Sequence, residues 1–113
     1  MIKVYGIPNC GSVKKAREFL ENRGVGYEFV DFKKCPPSKE LLESWVKEKG
    51  IDVVLNAKGM TYKKLRLKEK NLSTKEKITA CLENPSLIKR PVILGGKELI
   101  IGFDERSYEV VFC

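Results

Sequence analysis

The stretch GIPNCGSVKK, residues 6–15, sets a cysteine just ahead of a helical pattern and places Lys14 and Lys15 in the opening turns of that helix. A thiol at a helix amino terminus lies beside backbone N–H groups that the helix itself leaves without partners, and the helix dipole adds positive potential there. Both favour the thiolate, the form of cysteine that acts as a nucleophile. Free cysteine ionises near about 8.5, and such surroundings lower that value by about one to several units. Lysines at the same helix end oppose the dipole, at about 0.3–1 kcal/mol each, unless an anion at the helix mouth reverses the sign. The sulfur of Cys10 is the natural candidate for that anion. The competing reading of Cys10 is an inert thiol that fills space.

The remaining residue types narrow the chemistry. The chain has four cysteines and no histidine. No C-x-x-C pair or zinc-ribbon spacing occurs, and without histidine neither a metal shell nor a Cys-His dyad can be completed. Nucleophilic chemistry must then be thiol chemistry tuned by backbone dipoles and by Lys or Arg. No metal site and no bound cofactor are expected. Ser12 either caps the helix or donates a hydrogen bond to the sulfur. Lys14 and Lys15 either face the anion or are simply solvated. Cys35, before Pro36 and Pro37, and Cys81, on the apolar side of its helix, read as structural, while Cys113 is terminal.

The elements that must position Cys10 follow from periodicity. Residues 2–7 are apolar and β-branched and read as a strand, closed by turn chemistry at Pro8 and Asn9. From Ser12 the period becomes helical, with Val13, Ala16, Phe19 and Leu20 on one face and Gly24 suited to the position just past the end. Residues 25–32 are strand again, which completes a βαβ unit with parallel strands. A helix capped by Ser38 carries Leu41, Leu42, Trp45 and Val46 inward as far as Gly50. A short helix, a turn at residues 56–59 and another helical turn come next. Ser73 and Glu76 form a capping box ahead of a helix ended by Asn84 and Pro85. Two strands around a Gly95–Gly96 hairpin turn and a helix capped by Asp104 close the chain.

Length and composition bound the rest. With 113 residues, 42% of them apolar, the chain reads as one domain with a modest core. No apolar segment is long enough to span a bilayer, and the start lacks the apolar run and small-residue cleavage site of a signal peptide. A cytoplasmic location without membrane contact is the expectation. The net charge of +7 raises the question of nucleic acid, but acids and bases are interspersed. The densest basic run, residues 62–77, reads as a solvated face, because phosphate binding needs a patch rather than a run. No direct DNA contact is expected, and an acidic partner stays open.

The segments YGIPNCGSVKKAREFL, NAKGMTYKKL, ENPSLIKRPVIL and IGFDERSYEVVF follow one another in an order and spacing that resembles the arsenate reductase-like branch of the thioredoxin superfamily, which includes the Spx and MgsR type regulators. The resemblance covers nearly the whole chain. It implies a thioredoxin-like, glutaredoxin-type α/β fold, three layers around a mixed four-stranded sheet. The core would be residues 1–35 and 84–113, with a helical insert at 36–83. It implies that Cys10 is the redox thiol, that Pro91 follows a cis peptide bond facing it, and that Arg90 reaches toward it. Arg90, with Lys58 or Lys14, would hold an oxyanion or a carboxylate of glutathione, the expected co-substrate, with glutaredoxin as the alternative reductant.

Two departures refine that picture. Arsenate-reducing relatives hold the oxyanion with three arginines, whereas this chain matches only Arg90 and offers Lys58 in the second segment. No arsenate turnover above background is expected. Regulators of the Spx type carry a second cysteine three residues after the first, where this chain has Val13. A one-cysteine cycle through a small thiol therefore replaces an internal disulfide switch. The regulator reading remains the alternative: Gly50 aligns with the loop by which Spx is understood to touch the RNA polymerase α subunit, although a glycine ending a helix needs only its backbone freedom.

Overall fold

The β-branched and aromatic run Ile2–Gly6 forms β1, and its position inside the sheet follows from the burial of Val4, Tyr5 and Gly6. The computed structural model describes residues 2–95 and 98–112. Strand β2, Tyr27–Asp31, runs parallel to β1 in a register from Ile2 opposite Tyr27 to Gly6 opposite Asp31. On the other side β3, Val92–Gly95, is antiparallel, pairing Tyr5 with Val92 and Lys3 with Leu94. Strand β4, Glu98–Ile101, is antiparallel to β3, giving the order β2-β1-β3-β4. Two parallel neighbours cannot be joined by a tight turn, so the chain must cross over between them. Helix α1, Gly11–Asn22, makes that crossing.

Contacts divide the chain into two units, Met1–Cys35 with Arg90–Cys113, and Pro36–Lys89. In the first, α1 buries Val13, Ala16, Phe19 and Leu20. The last three share one cluster with Val4, Ile93 and Tyr108. Tyr108 belongs to α6, Glu105–Phe112, and its ring meets Phe19 at 5.5 Å, Phe103 at 5.0 Å and Phe112 at 5.8 Å, all edge-on. Such edge contacts set the positive rim of one ring against the negative face of another. The Tyr108 hydroxyl donates to the Gly102 carbonyl at 2.8 Å, so its one buried polar atom is satisfied. Burial, with the nearby Asp104 carboxylate, pushes its ionisation up. Asp104 caps α6 through the Arg106 N–H and the Ser107 hydroxyl.

The second unit is helical. In α2, Lys39–Lys49, the Ser38 hydroxyl accepts from the Leu41 N–H, and Leu42 and Trp45 point inward. Gly50 ends it at φ 89°, a conformation that costs a side chain dearly. Two short helices follow, α3 at Ile51–Val54 and α4 at Met60–Lys64, then a 3₁₀ turn at Leu67–Lys70. Helix α5, Thr74–Glu83, opens on the reciprocal Ser73–Glu76 capping box and buries Cys81. The 3₁₀ turn Pro85–Leu87 leads to Ile88, which bridges Leu55.

Several sequence expectations shift. Helix α1 begins one residue before Ser12, and Cys10 rather than Ser12 is the residue at its N-cap. Cys35, read as structural, is exposed, because the turn after β2 closes through backbone bonds from Lys34 and Cys35 to the Asp31 carbonyl and leaves the side chain outside. Residues 84–89, assigned to the core from the sequence, group with the insert. The hairpin turn placed at Gly95–Gly96 falls partly outside the described residues, as does Cys113. Among the described residues no helix is long and apolar enough to cross a membrane.

Gly6 fixes how closely α1 approaches the sheet. A Cβ at Gly6 would lie 2.6 Å from Val13 Cγ2 and 3.2 Å from Cγ1. Gly6→Ala should therefore overpack the joint and destabilise the fold by about 1–3 kcal/mol. Adding Val13→Ala should recover part of that loss, if the collision is the cause. Urea denaturation of the two variants and the parent checks both steps, and equal stability of Gly6→Ala and parent would contradict them.

Candidate functional site

The site begins where β1 ends. Gly6 hands the chain to a loop of three residues, and Cys10 takes the extended backbone of an N-cap, φ −105° and ψ 127°. Its carbonyl accepts the first helical bond, from the Lys14 N–H at 2.9 Å. An N-cap side chain faces the amides of the second and third helical residues, here Ser12 and Val13. The thiol closes no capping bond of the geometry an oxygen would make. Sulfur is larger and softer, and what it draws from these amides is a bias toward negative charge.

Arg90 reaches the same place from the other side of β1. Because β3 runs antiparallel, with Val92 opposite Tyr5, the residues just before β3 lie at the carboxyl end of β1. The Arg90–Pro91 peptide bond is cis, Pro91 is buried, and the Pro91 carbonyl accepts from the Gly102 N–H at 2.8 Å. Arg90 itself is half-buried.

These groups compete at the sulfur. Partial burial is the largest single influence and raises the Cys10 pKa. It is outweighed by the Val13 N–H, the Arg90 guanidinium as donor, the Ser12 N–H and the Arg90 charge, which together hold the thiol below its ordinary range. Cys81 shows what burial does unopposed: its thiol is pushed up to about 11.

The structure thus brings together Cys10, Ser12 and Arg90, with Pro91 following Arg90 across the cis bond. Ser12 contributes through its backbone, since its side chain is exposed. The charge acting on the sulfur is that of Arg90, not those of Lys14 and Lys15, both of which are exposed. Lys14 instead borders a shallow depression with Pro8, Arg17, Glu18 and Glu21. Lys58 lies in the second unit, exposed in the turn before α4, with its N–H on Asn56 Oδ1. Gly50 is likewise an exposed residue of that unit. The sequence reading missed the Val13 amide, treating Val13 as core alone. The signal was available: once Cys10 is the cap, Val13 is the third helical residue, the usual capping donor. No cluster of His, Cys, Asp and Glu suited to a metal occurs among the described residues.

A parallel pair, a crossover helix with cysteine at its cap and an antiparallel β3–β4 pair define a thioredoxin-like fold. A glutaredoxin from Archaeoglobus fulgidus shares it at TM-score 0.53 and 18% identity, over 99% of this chain and 86% of that one. The chain belongs to the ArsC family, whose model matches residues 5–111. It is 35% identical to an uncharacterized protein of Haemophilus influenzae over all of both chains. It is 34% identical to the global transcriptional regulator Spx of Streptococcus agalactiae over 93% of this chain and 78% of that one. The solved structure of the YffB (PA3664) protein superposes at TM-score 0.94 with 35% identity, covering both chains in full.

If the donors at Cys10 set its ionisation, alkylation with iodoacetamide should show a midpoint below that of free cysteine, and Arg90→Gln should move it upward. Cys81 should remain unmodified in the folded protein. The linkage has a definite sign. A folded-state pKa below the unfolded one adds stability that is complete above the unfolded value, near about 8.5, and is lost as pH falls through the folded value. The stability difference between the parent and Cys10→Ser should therefore grow as pH rises through that window, which urea titrations at several pH values would measure.

Proposed function

We propose that this chain is a thiol oxidoreductase that works through one redox cysteine, Cys10, and takes glutathione as co-substrate. The observation that supports it is the donor set around the sulfur: two helix amides and an arginine that favour the thiolate against the cost of burial. In the proposed cycle the Cys10 thiolate attacks the glutathione sulfur of a protein–glutathione mixed disulfide. The old S–S bond breaks, a Cys10–glutathione disulfide forms, and the protein thiolate leaves. A second glutathione, as its thiolate, attacks the bound glutathione sulfur, releasing oxidised glutathione and restoring the Cys10 thiolate. The proton of that second glutathione ends on the reduced protein thiol. Arg90 stabilises the attacking and the departing Cys10 thiolate, and between those steps its charge is available to a glutathione carboxylate.

Arsenate does not fit this reading. A tetrahedral oxyanion is best held by several planar forks, and this site has the one guanidinium of Arg90.

The similarity to Spx favours a second reading, a regulator that docks on the RNA polymerase α subunit, with the turn at Gly50 as its contact. Turnover separates the two. Purified protein should reduce a glutathione-mixed disulfide with glutathione, Cys10→Ser should abolish the reaction, and arsenate should give no turnover above background. A parent protein without turnover, with a slow and unshifted Cys10, that retains the purified α subunit would establish the regulator instead.

A further inference from the structure

Among the described residues, β2 has a strand neighbour on one side only. The Phe32 N–H donates to the Gly6 carbonyl at 2.8 Å, and this bond fixes which way each residue of β2 faces. Main-chain groups alternate in direction along a strand, so Val30 and Glu28 also turn theirs toward β1. Tyr27, Phe29 and Asp31 turn theirs outward. The Asp31 carbonyl is taken by the N–H groups of Lys34 and Cys35. The N–H and C=O of Phe29 have no partner among the described residues.

A depression of about 490 Å³ is lined by Glu28, Phe29, Val30 and Asp31 in succession. Successive side chains leave a strand on opposite faces, so a hollow lined by four in a row wraps the edge of β2 rather than lying on either face. Pro8, two residues before Cys10, lines it as well. Because β2 runs parallel to β1, its carboxyl end lies at the side of the sheet that carries Cys10. An open edge of this kind pairs with an extended chain, whose own main chain supplies the bonds. The two open groups of Phe29 match one residue directly opposite in an antiparallel strand, the pairing that is slightly more stable per residue. Antiparallel to β2, the added chain starts at the Cys10 end and runs away from it. A second copy of this chain is a poor occupant. Two copies paired at Phe29 would bring their Arg17 guanidiniums together, each 4.2 Å over its Phe29 ring, like charge against like.

We propose that the open edge of β2 docks the protein substrate, taking the residues that follow its glutathione-bearing cysteine as an added antiparallel strand. The proposal rests on the redox reading of Cys10 and names the substrate class, mixed disulfides in segments able to extend.

Turnover of two glutathione mixed disulfides tests it, one with N-acetylcysteine amide and one with a peptide that continues for about six residues past its cysteine. The small substrate has nothing to dock and reports on the redox reading alone. The peptide should show kcat/KM higher by about 10-fold, the worth of two net hydrogen bonds. The same residues placed before the cysteine should give no gain. Only alternate residues of a docked strand turn their N–H groups to β2. Of two peptides N-methylated at alternate positions in opposite phase, one should therefore lose the gain and the other keep it. A peptide with serine in place of its cysteine should slow amide hydrogen exchange at Phe29. If that slowing occurs while neither disulfide turns over, the redox reading falls and the docking edge stands. The proposal is overturned by equal turnover of the small and extended substrates, by a gain from the preceding residues alone, by both methylation phases acting alike, by unchanged exchange at Phe29, or by a dimer of the peptide-free protein in which the Phe29 N–H is already protected.

Discussion

The fit of Val13 over Gly6 is the constraint on which the site rests. Parallel pairing of β1 and β2 demands a crossover, and the crossover helix must start close to the strand it has just left. The absent side chain at Gly6 lets α1 settle there, with the Val13 methyls in the place a Cβ would fill. That contact fixes the helix amino terminus relative to the sheet, and with it the direction in which the Ser12 and Val13 amides point. Cys10, at the cap, receives whatever field those amides produce. Val13 thus serves twice, its side chain seating the helix and its N–H facing the sulfur.

The chemistry at Cys10 is a contest between burial and donation. A low-dielectric setting penalises a thiolate and at the same time strengthens every donor aimed at it. The two described cysteines with shifted ionisation mark the possible outcomes. Cys81 is enclosed by hydrocarbon and driven up, whereas Cys10 is partly enclosed but faced by two amides and a guanidinium, and goes down. Cys81 is the more deeply buried of the two, and no donor opposes that burial as the amides and the guanidinium do at Cys10. Arg90 matters most among side chains because the antiparallel register of β3 delivers it to the carboxyl end of β1, a place no residue on α1 itself supplies.

That register explains which parts were legible in the sequence. The parallel unit, the Ser38 cap, the Ser73–Glu76 capping box, the Asp104 cap and the inward faces of α1, α2 and α5 are local patterns, and each is found where the pattern lies. Cys10 was legible for the same reason, since a cysteine before a helix is a local signal. Its cation was not. The lysines adjacent in sequence drew attention, yet a helix turns successive residues outward, and the effective charge comes from 80 positions further along the chain. Residues at such separation meet only through tertiary pairing, which residue types do not encode locally; family resemblance pointed to Arg90 where periodicity could not. Cys35 failed differently. Its place before Pro36 and Pro37 reads as structural, but the Asp31 turn is closed by backbone bonds and needs no thiol inside it.

The residue at position 13 also bears on how the proposed cycle can be completed. A second thiol at the third helical position would lie one turn from Cys10 and could close a disulfide within the helix. Here that position is fully buried hydrocarbon, seated on Gly6, and carries no thiol. In the proposed cycle the oxidised form of Cys10 is therefore relieved by a thiol from outside that turn. Selectivity then passes from the helix to the surfaces that meet the incoming molecule. The residue that seats α1 thus also leaves Cys10 without a resolving thiol one turn away.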